Sequence, residues 1–416
     1  MRDGRATGQR CGSPTERRGG APRNRGERLS MAVDGQGRRG PLAGLRVLDL
    51  SGLGPAPFAT MMLADFGAEV LSVRRPDPLP FDPAAAMARG KDAIGVDLRS
   101  PEGQAVARRL ARSADIFVEG FRPGVMERLG LGPEVLMADN PGLIYARLTG
   151  WGQSGPYAKR AGHDINYLAI SGALAVIGED KPTAPPGLLG DLANGSYTMM
   201  IGVLMALVER QRTGRGQVVD AAIVDGASYM LGPMFGELEL GLWDGDPDHA
   251  MLGGKAPFYG VYRCADGKWF SVGAIEQKFY AAMLSILGLD DVDPSAEAQM
   301  DRDRWPALRE RIAAAFLTKP QAAWTEAFGA VDSCGAPVLA AGELAADPHN
   351  AARGTVTADG EGILTAAPAP RLSEHPELVT APNPRGSRPA DTILAEAGFT
   401  ADEIGELTAK KAVWSL

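Results

Sequence analysis

The sequence predicts an α/β protein: a parallel sheet covered on both faces makes up the larger part, and a smaller α+β unit lies in the second half. Three observations point there. Short runs that are apolar throughout, such as LRVLDL (45–50), DIFVE (115–119) and LIYARLTG (143–150), alternate with helical segments. Uniformly apolar strands between helices are the mark of a parallel sheet buried on both sides. Glycine- and proline-bearing turns, SGLGPAP (51–57) and TGWGQSGP (149–156), leave the ends of two of these runs. From about residue 250 the pattern changes to paired strand-like runs, YGVYRC (259–264) and KWFSVGA (268–274), on either side of Ala265-Asp266-Gly267. That is a hairpin signal.

Taken in order, LRVLDL is the first strand, and PFATMMLADFG (57–67) a helix that stops at Gly67. EVLSV (69–73) is the second strand. SPEGQAVARRLARSA (100–114) opens on Ser100 as N-cap with Pro101 at the first helical position. DIFVE is the third strand, RPGVMERLGLG (122–132) a short helix and LIYARLTG the fourth strand. A helical pattern, INYLAISGAL, follows Gly162-His163-Asp164. A long helix over 191–213 ends at Gly214 and Gly216, before the short strand QVVDAA (217–222) and a helix near Asp225. After the hairpin come helical patterns at 276–287, 304–317 and 320–331. A proline-rich stretch (366–389) runs extended over the surface, and a last short helix lies near 401–409. The organisation read from this is a Rossmann-like large domain over 41–225, completed by about 340–385, with a small α+β domain over 250–340. Residues 386–416 form a C-terminal tail with a short helix, and no internal repeat is visible.

A chain of 416 residues can bury more than one core. Its 45% hydrophobic and 23% charged content is that of an ordinary globular protein. A net charge of −8 argues against a general nucleic-acid binder. Cys11, Cys264 and Cys334 are far apart and make no metal-ligand spacing, which fits a reduced, cytoplasmic compartment. Residues 1–40 are rich in Arg, Gly and Pro and are expected to be disordered, the plainer reading being that translation begins at Met31. The longest apolar stretch, 192–208, is interrupted by Asn194, Ser196 and Thr198 and falls short of the ~20 residues of a membrane span. It reads as a buried core helix.

The turn after the first strand has Gly52 and Gly54 but Pro57 in the third glycine's place. Arg74 and Arg75, rather than an acid, end the second strand. A dinucleotide site is therefore rejected, and two arginines there suit a phosphate. His163 is one of four histidines. A lone histidine in an apolar setting is more often structural, but Gly162 permits close approach of a ligand and the helix start favours negative charge. Asp191, in LLGDLANGS, reads as a helix cap ahead of a functional acid; Glu276, opening a small-domain helix, has the same ambiguity. Asp164's side chain reads as a cap for the helix after His163. Arg74, Arg75, Lys91, Arg99, Arg122 and Arg128 are either a solvated face or a cluster for a polyanionic ligand. Met199, Met200, Met205, Met230, Met234 and Met251 are mostly core, with a flexible acyl lining as the functional alternative.

From residue 41 to about 385, PLAGLRVLDLSGLGPAPFATMMLADFGAEVLSVRRP, SADIFVEGFRPGVMERLGLG, LIYARLTGWGQSGP and GRGQVVDAAIVDGA resemble the family III CoA-transferase superfamily. GHDINY, LLGD and APFYGVYRCADGKWFSVGAIE resemble its alpha-methylacyl-CoA racemase branch. The resemblance implies two subunits threaded through each other, with a site at the subunit interface. It also implies that His163 is an imidazole base, Asp191 its carboxyl counterpart, and Glu276 of the other subunit the group orienting the imidazole. Arg75, Val96-Asp97-Leu98-Arg99, Gly120-Phe121-Arg122 and Arg128 match positions that hold coenzyme A, and Gly162 and Tyr167 are counted with the coenzyme-binding residues. Asn194-Gly195-Ser196 departs from a more glycine-rich run, which bears on the acyl pocket.

The implied reaction takes the α-proton from a 2-methylacyl-CoA and returns it on the opposite face. His163 and Asp191 would flank a planar enolate, and the Asp164 backbone N–H would donate to its oxygen. No metal or further cofactor is expected, since coenzyme A is part of the substrate. Two other readings stay open: a CoA-transferase using Asp191 as nucleophile, and an acyl-CoA-binding protein without catalysis.

Overall fold

In a computed structural model that describes residues 40–52, 54–76, 86–178, 181–376, 378 and 388–416, strands and helices alternate as the apolar runs require. β1 (Arg46–Asp49), α1 (Ala56–Asp65) and β2 (Glu69–Arg74) are followed by β3 (Asp92–Val96), α2 (Pro101–Arg112) and β4 (Ile116–Glu119). Then come α3 (Val125–Arg128), α4 (Pro133–Asp139), β5 (Ile144–Thr149) and α5 (Asp164–Ser171). A π-helical stretch, Leu188–Ser196, runs straight into α6 (Tyr197–Thr213), and β6 (Val218–Ala222) completes the parallel strands.

The six strands pair in the order β3-β2-β1-β4-β5-β6, all parallel. Because successive side chains point to opposite faces, Val47 enters one core and Leu48 the other. The first core packs α1 and α6 on the sheet through Ala59, Leu63, Met199 and Val203. The second packs α2 and α4 through Val106, Leu110 and Leu136. The strand order reverses between β1 and β4, and ligands of such sheets bind at the carboxyl ends beside that reversal.

The second half holds a separate core. After α7 (Ile223–Met230) and α8 (Gly232–Glu239), the hairpin β7 (Tyr259–Arg263) and β8 (Trp269–Gly273) is joined by β9 (Gly335–Pro337). Against it lie α9 (Gln277–Ile286), α10 (Ala296–Met300), α11 (Trp305–Phe316) and α12 (Gln321–Gly329). Phe258, Phe270, Phe316, Trp324 and Phe328 fill the space between. α13 (Pro348–Arg353) and a two-stranded ribbon, β10 (Val356–Ala358) with β11 (Leu364–Ala366), follow.

Several expectations change. β3 was not read as a strand. Lys91, Asp92 and Gly95 spoil its apolar run, and a Cβ at Gly95 would fall within the ring of Trp414. Residues 122–132 give only the single turn α3, and α4 is an additional helix. The last residues are more than a tail with one helix: α14 (Ala390–Glu396), α15 (Ala401–Ala409) and β12 (Val413–Trp414) follow one another, and β12 pairs antiparallel with β3. The expected core helix is buried on one face only. Leu188–Thr213 spans 26 residues and is long and apolar enough to cross a membrane. Met199, Met200, Val203, Ala206 and Leu207 are buried, whereas Ile201, Leu204, Met205 and Val208 are exposed. The disorder expected for residues 1–39 lies outside the described residues, as does part of the 366–389 stretch.

Candidate active site

The loops after the parallel strands bring most of the predicted residues to one edge of the sheet. Arg75 follows β2, and Val96 ends β3 ahead of Asp97, Leu98 and Arg99. Gly120, Phe121 and Arg122 leave β4, with Arg128 closing α3. Arg99 is exposed and paired with Asp97 at 2.9 Å. Phe121 donates its N–H to Glu119 Oε2 at 2.7 Å. Glu119 is also held by Arg147 Nε at 2.8 Å, and Arg147 reaches Glu127 of α3 at 2.9 Å. One buried guanidinium thus ties the 120–122 loop to the helix that carries Arg128. Neither Arg147 nor Glu119 was singled out from sequence. A basic residue inside LIYARLT was the available signal, since a charge in an apolar strand needs a partner.

Lys91 corrects an expectation. It is not a surface cation awaiting phosphate: it is 4% exposed, and its ammonium donates to Pro57 O and Thr60 Oγ1 at 2.7 Å each. Asp49, 1% exposed, lies 3.4 Å from it and accepts from the Ser51 amide and from the hydroxyls of Ser51, Thr60 and Ser72. Burial lowers the Lys91 pKa, and Asp49 opposes that. This network fixes the 51–57 turn from below.

Past β5, the chain folds around Tyr167. Its hydroxyl donates to the Gly162 carbonyl, and its ring meets Trp151 edge-on at 4.7 Å. A Cβ at Gly150 would lie 1.9 Å from that ring and one at Gly162 2.7 Å from it. The glycines are there because the aromatic fills their side-chain space. His163 then caps α5 in extended conformation, donating its N–H to Asn166 Oδ1 at 3.1 Å, and its ring is exposed.

Asp164 begins α5, and its amide stands in the helix's first turn. Its side chain does not cap the helix. It crosses to the π-helical stretch and accepts the Asp191 N–H at 2.6 Å. Gly190 allows this, because a Cβ there would lie 2.3 Å from the Asp164 carboxylate. Asp191 itself is no cap either; it sits within the stretch, half-buried. Burial first, then the Asp164 charge, push its carboxyl up to about 6, and His163 opposes them. Tyr167 is pushed up to about 12, by burial foremost and then by Asp191, with Arg122 opposing. Arg122, Gly162, His163, Asp164, Tyr167 and Asp191 therefore share one electrostatic neighbourhood.

Glu276 does not join them within one chain. It precedes α9 in the core of the second half, caps nothing with its side chain, and is exposed beside Cys334, whose thiol is raised by burial first and then by Glu276. The methionines do not form one lining. Met199 and Met200 are in the sheet core, Met205 and Met230 are exposed, and Met251 packs on the core of the second half. Among the described residues, no group of three His, Cys, Asp or Glu side chains could hold a metal ion.

An acid that is half neutral near pH 6, close to an imidazole at a helix start, can trade protons with a ligand lying over the sheet edge. Known proteins bear on which ligand. Human Alpha-methylacyl-CoA racemase is 43% identical over 378 residues, covering 90% of this chain and 98% of that one. Succinyl-CoA--D-citramalate CoA-transferase of Chloroflexus aurantiacus is 34% identical over 400 residues, covering 90% and 98%. Among solved structures, a CAIB/BAIF family protein from Brucella suis superposes with TM-score 0.72 at 26% identity, over 86% of this chain and 99% of that one. Rv3272 from M. tuberculosis gives 0.67 at 28%, over 84% and 97%. Residues 42–388 match the model of CoA-transferase family III, and the chain belongs to that family.

Proposed function

We propose that this chain is an isomerase that racemises 2-methylacyl-CoA thioesters. The observation that carries the reading is the meeting of the α5 start, with His163 as its cap, and the Asp191 turn, joined by the Asp164 carboxylate that accepts the Asp191 N–H at 2.6 Å; burial and the Asp164 charge there push the Asp191 carboxyl up to about 6. Inverting a carbon needs a base on one side and an acid on the other. A carboxyl of that strength populates both forms near neutral pH, whereas one near 4 would be almost wholly ionised. His163 takes the α-proton from one enantiomer while Asp191 delivers a proton to the opposite face, and the roles exchange in reverse. The negative charge that develops on the thioester oxygen is met by the Asp164 backbone N–H at the start of α5. One such donor contributes roughly 3 kcal/mol in comparable sites. Proton transfer leaves the oxidation state of carbon unchanged, so no redox group is required. Arg75, Asp97–Arg99, Gly120–Arg122 and Arg128 hold the coenzyme A portion, whose phosphates suit guanidinium groups.

Two copies complete the site. The exposed apolar side of α6, with Ile201, Leu204, Met205 and Val208, supports an interlocked dimer, as do the exposed Tyr229 and Leu240. Glu276 of the second copy would then orient the exposed His163 ring.

The test is incubation with a 2-methylacyl-CoA in D₂O. Deuterium should enter the α-position, with loss of optical purity, in the absence of any acceptor acid. A second reading is favoured by the resemblance to Chloroflexus CoA-transferases: Asp191 attacks the thioester to give an acyl-aspartyl anhydride and CoA thiolate, the thiolate attacks the aspartyl carbonyl and releases the first acid, and a second carboxylate takes the aspartyl-CoA thioester through the same two steps in reverse to leave as its own CoA ester. Acyl exchange that requires a second carboxylate, without α-deuteration, would decide for it. Tight CoA binding with neither reaction would leave an acyl-CoA-binding protein.

A further inference from the structure

The turn that carries Asp191 is held by two neighbours that no reading of the reaction assigns. In a π-helical stretch each carbonyl faces the amide five residues on, the backbone is looser than in an α-helix, and such stretches concentrate at functional sites. Here side chains reinforce that spacing. Asn194 Nδ2–H donates to the Leu189 carbonyl, five residues back, at 2.8 Å. The Ser196 hydroxyl faces the Asp191 carbonyl, again five residues back, at 3.3 Å and the Pro55 carbonyl at 2.8 Å. Both side chains are buried, at 2% and 0% exposure. Gly195 between them lies so close to Pro55 that a Cβ would stand 3.1 Å from its ring. The Asn194 carbonyl is closed off by Gly226, where a Cβ would come within 2.5 Å of it. The turn has no room to shift register.

We infer that Asn194 and Ser196 are positioning residues for Asp191. They bind the acid-bearing turn to itself and to the 51–57 loop, which the Lys91–Asp49 network fixes from beneath. The carboxyl then meets the reacting carbon from one defined side. Both side chains are turned into the protein: Asn194 onto the Leu189 carbonyl, with Met230 Sδ at 3.9 Å, and Ser196 onto the Asp191 and Pro55 carbonyls. This assignment rests on the racemase reading, and its test separates the two.

The readout is α-deuterium uptake into each enantiomer of a 2-methylacyl-CoA, followed separately at early times in D₂O. Asp191→Asn identifies the enantiomer whose proton Asp191 removes, and His163→Ala the other. Ser196→Ala and Asn194→Ala should slow uptake into the Asp191 enantiomer by about 10- to 100-fold, the scale of a small misplacement of a reacting group. Uptake into the other enantiomer should stay within about twofold, with KM unchanged. Val203→Ala, a core variant in α6 that leaves the turn's hydrogen bonds in place, should favour neither enantiomer. Equal slowing of both enantiomers, or slowing of neither, overturns the assignment while leaving the racemase reading intact. So does failure of both variants to fold, which would make the bonds general scaffolding. Absence of any uptake in the wild type overturns the racemase reading and the assignment together.

Discussion

Replacing Asp164 by Asn tests the electrostatics of the site with little change in shape. The amide oxygen still accepts the Asp191 N–H, and the Asp164 backbone N–H is untouched, so only the negative charge leaves. Asp191 stands at about 6 against an ordinary 3.8. That is roughly two pH units, or ~3 kcal/mol in favour of the neutral form. Burial is the larger cause and the Asp164 charge the second. Losing the charge should therefore lower the midpoint by about one pH unit at most, toward 5. The sign follows from Asp191 acting as a base on its own enantiomer, where only the carboxylate works, so that exchange fades as pH falls through the midpoint. At pH 5 the wild-type carboxyl is about one-tenth ionised, and the variant's about half, by the tenfold-per-unit relation. Relative to its own high-pH plateau, the variant should retain about five times more exchange at pH 5. The assay is α-deuterium uptake into that enantiomer between pH 4 and 8. A midpoint that stays at 6 or rises would refute the view that Asp164 tunes Asp191.

Three other outcomes are expected. Heterodimers of His163→Ala and Glu276→Ala chains, isolated with two different tags, should regain activity that neither homodimer shows, because one of their two sites has both residues; no recovery would place Glu276 outside the site. Gly150→Ala forces a methyl into the Tyr167 ring and should cost about 1–3 kcal/mol of stability, read as a lower denaturant midpoint, together with slower turnover. Lys91→Met strands the Asp49 carboxylate in the core and should cost about 3–5 kcal/mol; a loss under ~1 kcal/mol would mean that the Ser51, Thr60 and Ser72 bonds satisfy Asp49 unaided.

The parts of the fold visible in the sequence are those whose signal is local. Four parallel strands are predominantly apolar, and the hairpin at 259–273 carries its turn between its arms. β3 escaped because its burial depends on Trp414, over 300 residues away. His163 and Asp191 could be picked out by their glycine-flanked settings, and family resemblance gave them roles. Their coupling through Asp164 could not be read, because the bond spans 27 positions. Lys91 was misjudged for the same reason: its partner Asp49 lies 42 residues upstream, and a lysine between Gly90 and Asp92 looks like any solvated lysine. The π-helical turn carries Gly190, Asp191, Asn194, Gly195 and Ser196, residues that mark helix starts and turns in general and do not single out hydrogen bonding across five residues.

The strand Val413–Trp414 ties distant parts of the chain together. Asp97, in the turn after β3, donates its N–H to the Ala412 carbonyl at 3.0 Å, and the Trp414 ring occupies the space above Gly95. The outer edge of the parallel sheet is thus bordered by residues more than 300 positions downstream. Separation along the sequence and separation in space part company here: a substitution at Trp414 acts first on β3 and on the Asp97 turn, not on its own neighbours in the chain.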